Sequence, residues 1–360
     1  MTKKRILFIS TIMPGEPTGG SRRTWQLLDF FRKIGEVTYF FYDKELRCFT
    51  NREQNFPVSI STFNLWPFSL RKYYSPELME FIHSREADFE ILAVDHSHLL
   101  YLFQGVKIMK VADFQNCEEL LLMEQARQTK NPLFFLESML FRKYLKKFVQ
   151  LADLIFTPSL VELELISKDH PRVAYLPHSY SNRIRPERVG ERMLILFGNY
   201  GYFATFSGSM ELLNVYKKAR KTRNLPDLYI IGNKASRLFK TEANIRVKDM
   251  IIYLDDLLGV SDIFLIPVGY GAGSRVKLID SLAAGLPFIS TEKGVEGYHA
   301  SVRECGIVVQ RISDFPGAVE VLTEEKYRLC KEAILKVREQ YSYKFVFENY
   351  FLKAFGKDAL

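Results

Sequence analysis

A chain of 360 residues in which 47% are hydrophobic can bury the cores of two ordinary domains, which excludes an intrinsically disordered protein. The formal net charge of +8 is spread evenly, which argues against a basic nucleic-acid-binding tail and suits a protein that meets anions or an anionic membrane surface. Cys48, Cys117, Cys305 and Cys330 are scattered without metal-ligand spacing or a disulfide pattern, and no stretch approaches the roughly 18 apolar residues of a membrane span.

The first element is RILFIS (5–10), uniformly apolar and therefore expected as a parallel strand covered on both faces. The basic residues before it and the shortness of the apolar run do not suit a signal peptide, so the expected location is the cytoplasm, of a bacterium. TWQLLDFFRKIG follows with helical spacing. EVTYFFY (36–42), FEILAVD (89–95), KIMKVADF (107–114) and LADLIFTPS (151–159) read as further strands or strand ends, with one long helical stretch at about 117–150. PHSYSNRIRPERVGER (177–192), polar, with two prolines and four arginines, reads as a linker. The pattern then restarts: strand RMLILFGNY (192–200), helix MELLNVYKKAR, strands DLYIIGN and SDIFLIPV, helix RVKLIDSLAAG, strand PFIST, a short strand GIVV and two closing helices. Strand–helix alternation on both sides of a linker predicts an α/β protein of two Rossmann-like domains facing across a cleft, with ligands beyond the carboxyl ends of the strands. The expected domains are 1–178 and 192–341, with the last helix, about 342–360, returning to the first domain.

The stretch that invites a ligand is GYGAGSRVKLIDSLAAGLPFISTEKGVEGY (269–298). A strand feeds a glycine loop, Gly271, Gly273 and Ser274, that opens directly into a helix. Glycines let backbone N–H groups approach a ligand, and a helix N-terminus favours an anion, so phosphate is the natural guest. Arg275 and Lys277 add charge-assisted donors. They stand two apart, so they do not share a helix face, and Lys277 is favoured for the phosphate. Asp280 suits the two hydroxyls of a ribose, and Glu296 closes a second glycine turn beside the first. Tight βα turns with solvated charges give the same letters, so the motif alone leaves both readings open. Gly19 and Gly20, followed by Arg22, form another anion-friendly turn after the first strand. His96 and His98 follow a strand end, as do Asp95 and Asp113, and Asn116 and Glu118 form a polar cluster suited to sugar hydroxyls. His178 sits where a structural role is expected. Two stretches, 64–82 and 134–150, mix aromatic or aliphatic residues with Arg71, Lys72, Arg142, Lys143, Lys146 and Lys147, as surface helices and lipid-binding helices both do.

Residues 267–297 resemble the signature of the bacterial group 1, or family 4, glycosyltransferases of the GT-B architecture: a glycine loop, a helix with an acidic residue, "A.G.P" and a final "G.EG". The resemblance extends to RILFISTIMPGEPTGGSRRTWQLLDFF, to VADFQNCEELLL, which resembles a "D.HN.E" segment, and to LADLIFTPSLVE and VAYLPHS, and is weak over 40–90. It implies a retaining transferase that moves a sugar from a nucleotide diphosphate sugar to a saccharide or lipid-linked acceptor in surface polysaccharide or glycan synthesis. It assigns Asp280 to the donor ribose and His96 to the donor sugar, makes Gly198 and Asn199 donor-loop residues, and gives Arg275 and Lys277 the leaving diphosphate, with Arg22 helping from the first domain. Asn116 and Glu118 fall to the acceptor. The first of the family's paired acidic residues is absent, Ala272 standing in its place. The usual basic pair after the second domain's first strand is also absent, FGNYGYFATFSG standing there. No cofactor and no metal are expected, since no cation-holding "D.D" pattern occurs. A nucleotide-sugar 2-epimerase of the same architecture, or a non-catalytic sugar- or nucleotide-binding protein, fits the same features less fully.

Overall fold

A computed structural model describes residues 3–13, 18–59, 67–249 and 254–356. The chain divides into two compact units, Met1–Pro177 with Phe347–Leu360, and His178–Val346.

The first unit is built on an eight-stranded sheet: β1 (Lys4–Ser10), β2 (Gly35–Asp43), β3 (Cys48–Thr50), β4 (Asn55–Pro57), β5 (Ile91–Asp95), β6 (Met109–Asp113), β7 (Leu154–Thr157) and β8 (Val173–Tyr175), in the spatial order β4-β3-β2-β1-β5-β6-β7-β8. All neighbours are parallel except β2–β3 and β3–β4. Ile6, Leu7, Phe8 and Ile9 are buried on both faces, which is why β1 shows no alternation. Helices α1 (Gly19–Ile34), α2 (Glu118–Thr129) and α3 (Pro132–Phe148) belong to this unit. The helical stretch expected over about 117–150 consists of two helices. Asn131 caps α3 by accepting from the Leu133 N–H at 3.0 Å and Pro132 takes its first position, so α2 must end before them. The stretch over 40–90 contributes the antiparallel edge, β3 and β4, and a nine-residue helix, Pro76–Ser84.

Near the C-terminus, Phe347–Phe351 forms a π-helical turn between two single-turn α-helical pieces. Phe351 stacks on Phe156 with ring centroids 5.5 Å apart and meets Phe31 edge-on at 5.2 Å, so this segment completes the first unit's core. Residues 357–360 lie outside the described residues.

The second unit holds a six-stranded, wholly parallel sheet: β9 (Met193–Phe197), β10 (Asp227–Ile231), β11 (Ile245–Lys248), β12 (Ile263–Ile266), β13 (Phe288–Thr291) and β14 (Gly306–Val309), ordered β11-β10-β9-β12-β13-β14. Helices α4 (Phe203–Ala219), α5 (Val276–Ala284) and α6 (Glu324–Val337) belong here. The arginine-rich stretch 177–192 is fastened to this unit after Pro177. Arg188 pairs with fully buried Asp262, which also accepts from the Met193 N–H at 2.9 Å, and Arg183 pairs with Glu339 at 2.7 Å.

Each sheet reverses its winding at one place. In the first unit the order turns between β1 and β5, and in the second between β9 and β12. Loops leaving neighbouring strands part in opposite directions there, and the crevice they leave at the carboxyl ends is where open α/β sheets bind ligands.

Candidate functional site

In the second unit the reversal is flanked by the loop after β9 (Gly198–Tyr202) and the loop after β12 (Pro267–Arg275). Both run directly into helices, α4 and α5, whose N-terminal residues Tyr202 and Arg275 provide no side-chain cap. Neither helix has an acid in its first turn, so their leading N–H groups and positive dipole ends keep an affinity for anions. Gly271 and Gly273 sit at φ of 124° and 76°, which only glycine adopts without strain, and this lets the loop double back over the start of α5.

Arg275 and Lys277 take different directions from this helix start. The Arg275 guanidinium folds over the loop. Its Nη1 donates to the Ala272 carbonyl at 2.6 Å, while Nε and Nη2 are buried without a hydrogen-bond partner among the described residues. The Arg275 carbonyl is pinned by the Tyr298 hydroxyl at 2.8 Å. Lys277 reaches the loop after β9, where a methyl group placed on Gly198 would lie 2.7 Å from its Nζ. Burial, and then the charge of Arg275, lower its ammonium to about 8, against a smaller opposing pull from Asp280. No hydrogen bond or ion pair holds this ammonium among the described residues. Asp280 lies one turn further along α5 and is 5% exposed.

The remaining residues singled out in this unit make local contacts or are half-buried. Asn199 Oδ1 accepts from the Gly201 N–H at 3.0 Å and from Asn233 Nδ2 at 3.3 Å, so its side chain shapes the loop. Glu296 pairs with Lys293 at 2.6 Å, and Ser274 is half-buried. One basic residue escaped the sequence reading. Lys234 follows Gly232 and Asn233 at the end of β10, in left-handed backbone at φ 64°, and its Nζ would lie 3.2 Å from a methyl group on Gly201. The signal was available in "IIGNK": glycine, asparagine and a base at a strand's carboxyl end.

In the first unit the corresponding place is lined by the end of β1, the start of α1 and the end of β5. Thr18 caps α1 by accepting from the Ser21 N–H at 3.1 Å. Gly20 is packed so closely that a methyl group would meet Ile12 Cδ1 at 2.7 Å and Gln115 Oε1 at 2.9 Å. Gly19 and Arg22 are exposed, whereas Arg23 is fully buried. Arg23 grips Asp113 with Nε at 3.1 Å and Nη2 at 2.6 Å, and its Nη1 donates to the carbonyls of Leu176 at 2.7 Å and Pro177 at 3.2 Å. Asp95, also fully buried, accepts from Ser10 Oγ at 3.0 Å, from Gln115 Nε2 at 2.6 Å and from Thr24 Oγ1. Gln115 thus occupies the histidine position of the "D.HN.E" pattern as a strut for Asp95. Asp95 and Asp113 are held in place inside the unit and do not face a ligand.

His96 is the residue of this group that turns outward. It adopts φ 94°, a costly backbone for a side chain with a Cβ, which the Asp113 carbonyl fixes by accepting its N–H at 2.9 Å. Its Nδ1 donates to the Asp95 carbonyl at 2.9 Å and lies 2.8 Å from Thr11 Oγ1, which leaves Nε2 for a ligand. Two ionisable groups gather near it. Burial pushes the Glu118 carboxyl up, with His96 and Lys72 pulling it back. Burial pushes the His98 imidazole well below its usual range, helped by the charges of His96 and Lys72. His98 itself is clamped between the rings of Tyr73 at 5.5 Å and Phe141 at 5.0 Å, so it packs and does not face outward. Asn116 and Glu118 are both half-buried, on either side of buried Cys117. Among the described residues no three His, Cys, Asp or Glu side chains converge as a metal site, and no helix is long and apolar enough to cross a membrane. His178 is buried.

No protein-family model matches the sequence, and no curated protein matches it. Solved structures do share its shape. The chain is similar to sucrose-phosphate synthase from Thermosynechococcus elongatus, with a TM-score of 0.71 at 13% identity over 96% of each chain. It is similar to Anabaena HepE in complex with UDP, with a TM-score of 0.62 at 10% identity over 95% of this chain and 97% of that one. WaaG, a glycosyltransferase involved in lipopolysaccharide biosynthesis, gives a TM-score of 0.61 at 13% identity over 95% of this chain and 97% of that one. The fold is that of the GT-B glycosyltransferases.

Proposed function

We propose that the protein is a retaining glycosyltransferase. It transfers the sugar of a nucleotide diphosphate sugar to a saccharide acceptor, carried on lipid, in the synthesis of a surface glycan at the cytoplasmic face of the membrane. The observation that carries this reading is the unpaired Lys277 ammonium set against Gly198 at the winding reversal of the second sheet, between two uncapped helix N-termini. Few solutes satisfy such an arrangement as well as a diphosphate. The occurrence of UDP in the HepE structure supports a nucleotide as the group attached to it.

In the reaction the bond from the sugar's anomeric carbon to the diphosphate oxygen breaks, and one to the acceptor oxygen forms on the same face. The acceptor's proton passes to the departing phosphate. Negative charge grows on that phosphate, so groups that contact it gain strength in the transition state. Lys277, the start of α5 and the Gly271–Gly273 loop serve this purpose, with Arg275 holding the loop closed over its own N-terminus. Asp280 takes the ribose hydroxyls, Lys234 adds charge beside Gly201, and His96 keeps Nε2 for the sugar. Asn116 and Glu118 receive acceptor hydroxyls.

The test is a panel of nucleotide diphosphate sugars, uridine donors first, read by release of the nucleotide diphosphate and by the anomeric configuration of the product. Turnover with retention is expected, unchanged by EDTA. An inverted product, or activity lost to EDTA and restored by manganese, overturns the mechanism, and inactivity across the panel with tight nucleotide binding favours a binding protein. Asp280→Ala should weaken nucleotide binding by about 1.5–3 kcal/mol, the worth of hydrogen bonds to a charged group. Normal titration of nucleotide by that variant removes Asp280 from the site.

A further inference from the structure

Helix α3 carries an outward face for which the proposed chemistry has no use. Phe135, Leu136, Met139, Arg142, Lys143, Lys146 and Lys147 are all exposed, and at 100° per residue they fall on one side of the helix. The opposite side, Glu137, Ser138, Phe141, Tyr144 and Phe148, is buried in the unit. The outward face is divided along its length. Its first two turns are apolar, with Leu133, Phe135, Leu136 and Met139 between 44% and 63% exposed, and its last two turns are basic. No acid lies on it. The one acidic residue of α3, Glu137, points inward and accepts the N–H groups of Phe68 and Ser69, both at 2.7 Å. That bond fixes a second apolar–basic pair beside the helix, exposed Phe68 with Arg71 stacked over its ring at 4.8 Å. Helix α2, packed against α3, has no buried residue in its 12, so its Leu120, Leu121, Leu122 and Met123 are only partly covered. Of the 64–82 stretch, residues 64–66 lie outside the described residues.

Four large apolar side chains on one helical face are unusual on a surface that has no partner. The bases beside them choose the partner. A second copy of this chain would bring the positive charges of Lys143, Lys146 and Lys147 against themselves, whereas an anionic bilayer takes the apolar half into its headgroup boundary and the basic half against its phosphates. We propose that α3, with Phe68 and Arg71, is the surface by which this protein docks on an anionic lipid bilayer. The first turns lie in the interface and Arg142, Lys143, Lys146 and Lys147 lie over the headgroups. The proposal rests on this surface alone and stands or falls independently of the sugar-transfer reading.

The experiment is sedimentation of the full chain with sucrose-loaded vesicles, either pure phosphatidylcholine or containing 30% phosphatidylglycerol, at about 0.1 M salt. Binding to the anionic vesicles alone, weakened by added salt, is expected. Lys143→Gln/Lys146→Gln should lower the partition coefficient roughly 30-fold, from two charges near the lipid surface. Phe135→Ser/Met139→Ser should lower it at least as much. These positions are exposed, so unchanged thermal unfolding and unchanged nucleotide binding verify the fold of both variants. No binding to anionic vesicles, or equal binding by wild type and both variants, overturns the proposal. So does a dimer in light scattering that Phe135→Ser/Met139→Ser dissolves, since the face would then be covered by a second copy.

Discussion

Lys277→Met is expected to lower turnover roughly 10²–10³-fold, the usual loss when one preorganised donor to a developing negative charge is removed. Affinity for the nucleotide sugar should fall less, because the lysine meets more charge on the departing diphosphate than on the bound donor. Methionine keeps the apolar length that packs beside Gly198 and removes a charge that burial disfavours, so the variant should unfold no earlier than wild type. The ammonium also sets a pH dependence. In the free protein it loses its proton near 8, and a bound diphosphate raises that value. Below about 8 the lysine is charged with or without ligand, and affinity does not vary through this group. Above it, binding must draw a proton from solvent, and affinity falls by up to tenfold per pH unit until the bound form also titrates. Calorimetry at pH 8.5 in two buffers of different ionisation enthalpy should show proton uptake in wild type and none in Lys277→Met. Equal uptake by both proteins would assign the titration to another group, and full turnover by the variant would remove Lys277 from the reaction.

Arg23→Met should cost the first unit about 3–5 kcal/mol, the penalty for stranding one partner of a buried ion pair. The carboxylate of Asp113 would be left in the core without its two guanidinium contacts. The carbonyls of Leu176 and Pro177 would lose donors at the point where the chain leaves this unit. Arg23→Met/Asp113→Leu, which removes both charges, should recover much of the loss. Urea unfolding followed by fluorescence measures both. A single variant within about 1 kcal/mol of wild type would mean that the pair contributes nothing net.

What the letters revealed and what they concealed follows from which interactions are local. Uniformly apolar runs such as RILFIS and MLILF mark strands covered on both faces, and these were legible because burial writes itself into every residue of the strand. The glycine loop at 271–273 was legible because positive φ leaves few other residues. The edge formed by β3 and β4 was not, since three-residue strands are too short to show a period. The helical stretch over 117–150 was legible by its period, and the Asn131–Pro132 stop divides it into two helices. At the start of α1, Arg22 is legible by its charge, and the helical period marks its neighbour as the buried base. Arg23 stands four before Leu27 and seven before Phe30, on the inward face. Lys234 lies outside the family's signature, and Gln115 bonds to Asp95, 20 residues earlier, through a contact that only the sheet order creates.

The segment that closes the first unit's core, with Phe351 between Phe31 and Phe156, gives the protein an order in time. Residues 178–346, which form the other unit, are synthesised in between. At roughly 5–20 residues per second, the ribosome needs on the order of 10–35 s to travel from Pro177 to Phe355. Throughout that interval Phe30, Phe31 and Phe156 lack the Phe351 ring that packs on all three, while the unit made second can already fold to completion. The nascent first half is therefore the species that calls for a chaperone, and the unit translated first is the last to finish.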